Sequence, residues 1–169
     1  MSEPNRDPTD GAIVSRDRPQ TSGAQIVFAE MDPSGPHLSI AVVCERVLTE
    51  QDGVLSAIRL IDRIIFPLDE AGTLVMPQQP ITLFIVLKAG AARGTFNLEI
   101  KREDPSGIEV PVLGAPVHFE GEERGANVIV NTGFAPEQPG LYWYDVYFDG
   151  ARITRMPLRA VFQPQVTTG

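Results

Sequence analysis

Residues able to bind metals or form disulfides are scarce in this chain. It has one cysteine, Cys44, so no intrachain disulfide can form and the cysteine-rich zinc frameworks are excluded. Its two histidines, His37 and His118, lie far apart, which excludes a two-histidine zinc motif on one helix. No run approaches the roughly 18 apolar residues that span a bilayer. The opening MSEPNRDPTDGAIVSRDRPQTSG lacks the apolar stretch of a secretory signal. Gly-x-Ser-x-Gly, the nucleophile elbow, does not occur. Gly90-Ala-Ala-Arg-Gly94-Thr95 has glycines without the spacing or the lysine of a phosphate loop, and reads as a hairpin loop. These absences lead to an expectation of a cytoplasmic protein, not an enzyme, with no cofactor and no metal.

Charge narrows the partners. Lys plus Arg is 14 and Asp plus Glu is 22, a formal net charge of 14 − 22 = −8. An acidic chain is poorly suited to nucleic-acid phosphates or an anionic membrane, so neither is expected as a partner. Only Lys88 and Lys101 among the basic residues are lysines. With 169 residues and 43% hydrophobic content, the chain holds one domain with a real core. Residues 1–23 carry acids, arginines and prolines without an aromatic residue, and read as a disordered tail. The domain is expected over 24–162, with a disordered C-terminus over 163–169.

Short runs of Val, Ile, Leu and Phe between turn residues fill the middle. Ala24 to Met31 reads as a first strand, closed by the turn Asp32-Pro33-Ser34-Gly35. Leu38 to Leu48 and Val54 to Phe66 flank Gln51-Asp52-Gly53 as a hairpin. Phe66 to Pro80, with three prolines, reads as a connector or edge segment. Ile81 to Leu87 is nearly all apolar, the pattern of a central strand buried on both faces. Phe96, Leu98 and Ile100 alternate with Asn97, Glu99 and Lys101, giving one dry and one wet face. A second four-residue turn, Asp104-Pro105-Ser106-Gly107, precedes Ile108 to Phe119, which Pro111 and Pro116 mark as an edge or bulged strand. Asn127 to Val130 is a short strand, and Leu141 to Phe162 a last hairpin around Asp149-Gly150. The pattern predicts an all-β fold, an antiparallel β-sandwich of about seven to nine strands, and a resemblance in its late strand implies an immunoglobulin-like one.

Pro139-Gly140-Leu141-Tyr142-Trp143-Tyr144 resembles the tyrosine corner of immunoglobulin-like sandwiches, with Tyr144 where antibody domains place their second cysteine. Taken with VCERVLTEQDGVLSAIRLIDRI (Val43 to Ile64), PGLYWYDVYFDG (Pro139 to Gly150) and MPL (Met156 to Leu158), the chain resembles a set of small, uncharacterised bacterial β-sandwich proteins over about residues 38 to 162. That resemblance implies a fold and no activity.

Several residues are candidates for chemistry, each with a plainer role beside it. Cys44 fits core packing, although Arg46 two residues on is the kind of neighbour that activates a thiolate. His118 with Glu120 to Glu123 offers an oxygen-rich set for a metal, or simply a solvated acidic turn. Asp62 and Arg63 interrupt an apolar run, either facing water or anchoring a binding groove.

The last hairpin is the most informative segment. Tyr142, Tyr144, Val146 and Phe148 share one strand face; Trp143, Asp145 and Tyr147 share the other. A tight two-residue loop would set Tyr144 against Arg155, yet Met156, Leu158, Ala160 and Phe162 alternate as a core set. Both patterns hold only if one extra residue bulges between Ala151 and Thr154. Asp145 then faces Arg155 as an exposed ion pair, worth at most about 1 kcal/mol. Trp143, Tyr147 and Pro157 form an outer apolar patch around it, of the residue types found at binding hot spots. The expected function is a binding or scaffolding module for a protein partner or for a second copy of itself. The alternatives are a small-ligand or carbohydrate binder with an aromatic platform, and a metal-dependent enzyme.

Overall fold

The computed structural model describes residues 35–121 and 124–164. Expectations for the tail, for Ala24 to Met31, for Asp32 to Ser34, for Glu122 and Glu123, and for 165–169 lie outside the described residues. Nine strands and no helix make up the described chain: β1 (His37–Thr49), β2 (Leu55–Leu60), β3 (Arg63–Leu68), β4 (Gln79–Lys88), β5 (Arg93–Glu103), β6 (Glu109–Glu120), β7 (Gly125–Phe134), β8 (Gly140–Phe148) and β9 (Ala151–Pro164). They form a four-stranded sheet in the order β2-β1-β4-β7 and a five-stranded sheet in the order β3-β9-β8-β5-β6. No helix among them is long and apolar enough to cross a membrane.

The two sheets share one core. Val43, Ile81, Leu83, Ile85 and Leu87 from the first cluster with Leu98, Ile100, Tyr142, Tyr144, Val146, Met156 and Leu158 from the second. β4 is buried from Ile81 to Leu87, as its apolar run predicts. Its odd residues enter the shared core, while Phe84 and Val86 join Cys44 on the opposite face, against Val47, Leu55 and Ala57 of the β1–β2 hairpin. The one polar side chain in the run, Thr82, is satisfied: its hydroxyl sits 3.1 Å from the Glu45 carbonyl and 2.9 Å from Asn131 Oδ1.

Turn chemistry behaves as read. At Asp52-Gly53 the chain reverses into the antiparallel β1–β2 hairpin. Asp149 and Gly150 both have positive φ, 46° and 79°, the signature of a type I′ loop. The Asp104 carboxylate accepts the Ser106 N–H at 2.8 Å, an Asx turn closed by Gly107 N–H to the Asp104 carbonyl. β6, with its two prolines, is an edge strand whose pairing with β5 shifts register at Ile100/Lys101. At the start of β8, Gly140 has φ 147°, and a Cβ there would lie 2.6 Å from the Pro105 ring. Two residues on, the Tyr142 hydroxyl donates to the Gln138 carbonyl at 2.9 Å.

Beyond the turns just described, four segments differ from the sequence reading. Gly90 to Gly94, read as a hairpin loop, joins β4 of one sheet to β5 of the other. The short strand read at Asn127 to Val130 runs from Gly125 to Phe134. Val54 to Phe66 is two strands in different sheets. The chain crosses between them at Ile61-Asp62, where Ile61 N–H reaches the Val43 carbonyl and Asp62 carbonyl takes the Arg159 N–H. Arg59, with φ 51°, makes the bend, and β3 then runs parallel to β9 rather than antiparallel. The Asp62-Arg63 pair falls at this switch, but with a half-buried strand on each side of it the pair reads equally well as the wet stretch of a single strand. β9 also continues through Gln163 and Pro164, beyond Phe162 where the sequence reading ended the domain.

Cys44 is fully buried, and burial pushes its thiol above the usual range, with its Sγ directed at the Arg46 carbonyl rather than at the exposed guanidinium. Reaction of the native protein with a thiol reagent should therefore be slow and rise in step with denaturant. Rapid labelling of the folded chain would contradict the burial.

Candidate functional site

The bulge that the sequence demands is present. Across the β8–β9 ladder Tyr142 faces Leu158, Trp143 faces Pro157, Tyr144 faces Met156, Asp145 faces Arg155 and Val146 faces Thr154. The next pair is Tyr147 with Arg152, so Ile153 is the extra residue. The inner face receives the tyrosines and aliphatics. The outer face of the five-stranded sheet receives Trp143, Asp145, Tyr147, Arg155 and Pro157.

β5, on the other flank of β8, adds residues the hairpin alone does not show. Lys101 pairs with Asp145 and Glu103 with Trp143. Arg155 Nε lies 2.5 Å from Asp145 Oδ1 and its Nη2 3.0 Å from Oδ2, a bidentate clamp; Nη2 also meets Glu103 at 2.5 Å. Arg152 approaches Asp145 at 3.7 Å and Lys101 approaches Glu109 at 3.6 Å. The guanidinium of Arg155 sits 4.8 Å from the Trp143 ring centroid, and Lys101 Nζ 4.8 Å from that of Tyr147.

This corrects the expected exposed ion pair. Asp145 is 0% exposed although it projects from the outer face, and Arg155 is half-buried. The strands on both sides of Asp145 carry long cations, and these cover it together with the flanking aromatics. Trp143 and Tyr147 are half-buried too, and Pro157 is exposed. The hydrogen bond to Asp145 is the main reason that Arg155 holds its proton even more firmly than usual. Lys101 is legible as an outward residue in the β5 alternation, but Glu103, Glu109 and Arg152 carry no local signal that joins them to Asp145.

Carboxylates do converge here. Ligand oxygens of Glu103, Glu109 and Asp145 lie within 4.8 Å of one another. Three cations, Arg152, Arg155 and Lys101, already answer these three acids, and a metal would have to displace the guanidinium from Asp145. At the other proposed metal set, exposed His118 has its Nδ1 3.1 Å from Thr95 Oγ1, and Glu120 pairs with Arg124 at 3.0 Å. Asp62 and Arg63 are exposed at the crossover and border a cleft of about 570 Å³. Asp62 also borders a second cleft, of about 380 Å³, whose far wall is Arg155, Met156 and Pro157.

Arg102 departs from the alternation of β5. It follows Leu98 and Ile100 on the inward face, with its guanidinium carbon 5.8 Å from the Tyr142 ring centroid and its buried Nε without a hydrogen-bond partner among the described residues. Burial pushes the neighbouring Tyr144 phenol up to about 12, against the opposing pull of the Arg102 charge.

An all-β domain of two sheets, with a cross-strand charge network on one outer face, defines no reaction by itself. The chain belongs to a family of unknown function (DUF6941), whose model matches residues 39–161. No curated protein matches it. Among solved structures it is similar to the Pseudomonas fluorescens alkylpurine DNA glycosylase AlkC bound to DNA containing an abasic site analog, at 9% identity and a TM-score of 0.46. That match covers 75% of this chain and 30% of the glycosylase, so the chain spans under a third of that protein. A likeness this distant carries no argument about activity.

Removing the arginine leaves the Asp145 carboxylate buried with one distant cation, so Arg155→Ala should cost about 2–4 kcal/mol in urea unfolding. The isosteric double change Asp145→Leu with Arg155→Met should cost less than Arg155→Ala alone. An Arg155→Ala cost below about 0.5 kcal/mol would mean that water reaches Asp145 freely.

Tyr144 gives a pH dependence. Its folded pKa, about 12, lies above the ordinary value of 10. The unfolded chain therefore sheds this proton first, and stability falls as pH rises from about 10 through about 12. A phenolate absorbance titration should contain a late step that Tyr144→Phe removes.

Proposed function

We propose that the protein is a non-enzymatic binding or scaffolding module of the cytoplasm, of bacterial origin, acting through protein–protein contacts. We read its fold as immunoglobulin-like. The strand orders β1-β4-β7 and β9-β8-β5-β6 follow the two-sheet pattern of such domains, and the Tyr142 hydroxyl bond to the Gln138 carbonyl supports a tyrosine corner.

One observation carries the functional reading: Arg155 is clamped by buried Asp145 while its guanidinium lies over the half-buried Trp143 ring. Trp and Arg dominate binding hot spots, and a pair fixed before the partner arrives loses little side-chain entropy on docking. Exposed Pro157, opposite Trp143, extends the patch. The charge network is balanced in sign, which suits a patterned protein surface better than an anionic polymer. One face of each outer aromatic ring already holds a cation, which weighs against sugar stacking. The 380 Å³ cleft beside Arg155 and Pro157 favours a second reading, a small ligand bound at the edge of the same surface.

Trp143→Ala should keep the fold, with a melting temperature close to wild type, and weaken a partner recovered by pull-down by about 2 kcal/mol, or some 30-fold. Quenching of Trp143 fluorescence by a panel of sugars and small anions, with no protein recovered, would favour the second reading. Unfolding of Trp143→Ala would remove both.

A further inference from the structure

Four strands lie at sheet edges among the described residues: β2, β7, β3 and β6. Exposed edges invite pairing with other chains, and proteins blunt them with short strands, prolines, bulges or charges. Three of the four are blunted. β2 has six residues and is bent at Arg59, next to its last residue, with φ 51°. β3 has six residues and carries Pro67, whose carbonyl is taken by the Val75 N–H at 2.9 Å. β6 contains Pro111 and Pro116 and a register shift.

β7 has none of these devices. Its ten residues, GANVIVNTGF, include no proline and no charge. All ten pair with β4 in unbroken register, without a bulge, and the strand's far edge bears no described strand.

The sequence of that edge is a palindrome centred on Ile129: Gly125, Asn127 and Val128 are mirrored by Gly133, Asn131 and Val130, and only Ala126 against Thr132 breaks the symmetry. An antiparallel pair of identical strands related by a two-fold axis sets residue 129 − k against residue 129 + k. Here that places Val128 opposite Val130 of the second copy, Asn127 opposite Asn131, and Ile129 opposite itself. Like side chains meet at matching depth, and no two like charges are brought together. Ile129, 40% exposed on the outer face, becomes covered at the axis, and the half-buried Val128 and Val130 gain apolar neighbours on the core side.

We infer that β7 is a self-association edge: two copies of this chain pair through β7 about a two-fold axis at Ile129, joining two four-stranded sheets into one of eight. This surface is separate from the Trp143 face and does not depend on its role.

The test uses the full chain. Wild type should sediment at twice the chain mass at micromolar concentration. Ile129→Lys and Ile129→Glu, both at an outward position, should each weaken the dimer by at least about tenfold, because each sets like charges face to face. Mixing the two variants should restore the dimer, since Lys then meets Glu. Ile129→Cys should form an intermolecular disulfide under mild oxidation, whereas wild type, with only buried Cys44, should not. Melting curves establish that each variant is folded. A monomeric wild type overturns the proposal. So does a dimer that Ile129→Lys leaves intact, or one that Trp143→Ala dissociates instead. A wild type that dimerises only after deletion of residues 1–34 overturns it as well, and assigns the edge to the chain's own N-terminal segment.

Discussion

Strand periodicity is two, so one inserted residue decides which side chains share a face along an entire ladder. In this protein that residue is Ile153. Without its bulge, β9 would meet β8 one position out, sending Arg155 toward Tyr144 in the core and Met156 toward Trp143 outside. With it, Tyr142 and Tyr144 meet Leu158 and Met156 inside, and Asp145 meets Arg155 outside. The shared core and the outer charge network are two readings of this one register. A deletion at Ile153 would therefore damage both together, which no single core or surface substitution does.

The charge network shows how a sheet holds a buried carboxylate on a solvent-facing side. Asp145 sits on the middle of three strands, and each neighbouring strand places a long cationic side chain beside it. Arg155 spends its fork on the carboxylate and its flat face on Trp143, so one residue ties an electrostatic contact to an aromatic one. The result is a surface whose most interactive side chains have few alternatives to their present positions.

Some of this was legible in the sequence and some was not, for reasons particular residues make plain. The β8–β9 register followed from two alternating patterns that conflict unless a residue is inserted. The burial of β4 on both faces followed from seven consecutive residues with a single hydroxyl among them. By contrast, the burial of Asp145 depends on Lys101 and Glu103, more than forty positions away, and the β5–β8 register is a tertiary fact without a local trace. The crossover at Ile61-Asp62 did leave a mark, the charged pair Asp62-Arg63 inside an apolar run, but such a pair fits a solvent-facing stretch of one continuous strand equally well. Nothing in the side chain of Arg59 announces a positive φ, which glycine or asparagine would have done.

The parallel pairing of β3 with β9 bears on the order in which the molecule is made. β9 is the last of the described strands in chain order, yet it lies between β3 and β8 in the five-stranded sheet. Arg63 must wait for Arg159 to find its place. Until then β3 has no partner and the inner face of β8 lacks Met156 and Leu158. A nascent chain therefore leaves β3 and one edge of β8 unpaired until β9 emerges, and a loop of nearly a hundred residues has to close at that point. For this fold β9 is a keystone, and chains that lack it, nascent or shortened, are the species most in need of chaperones.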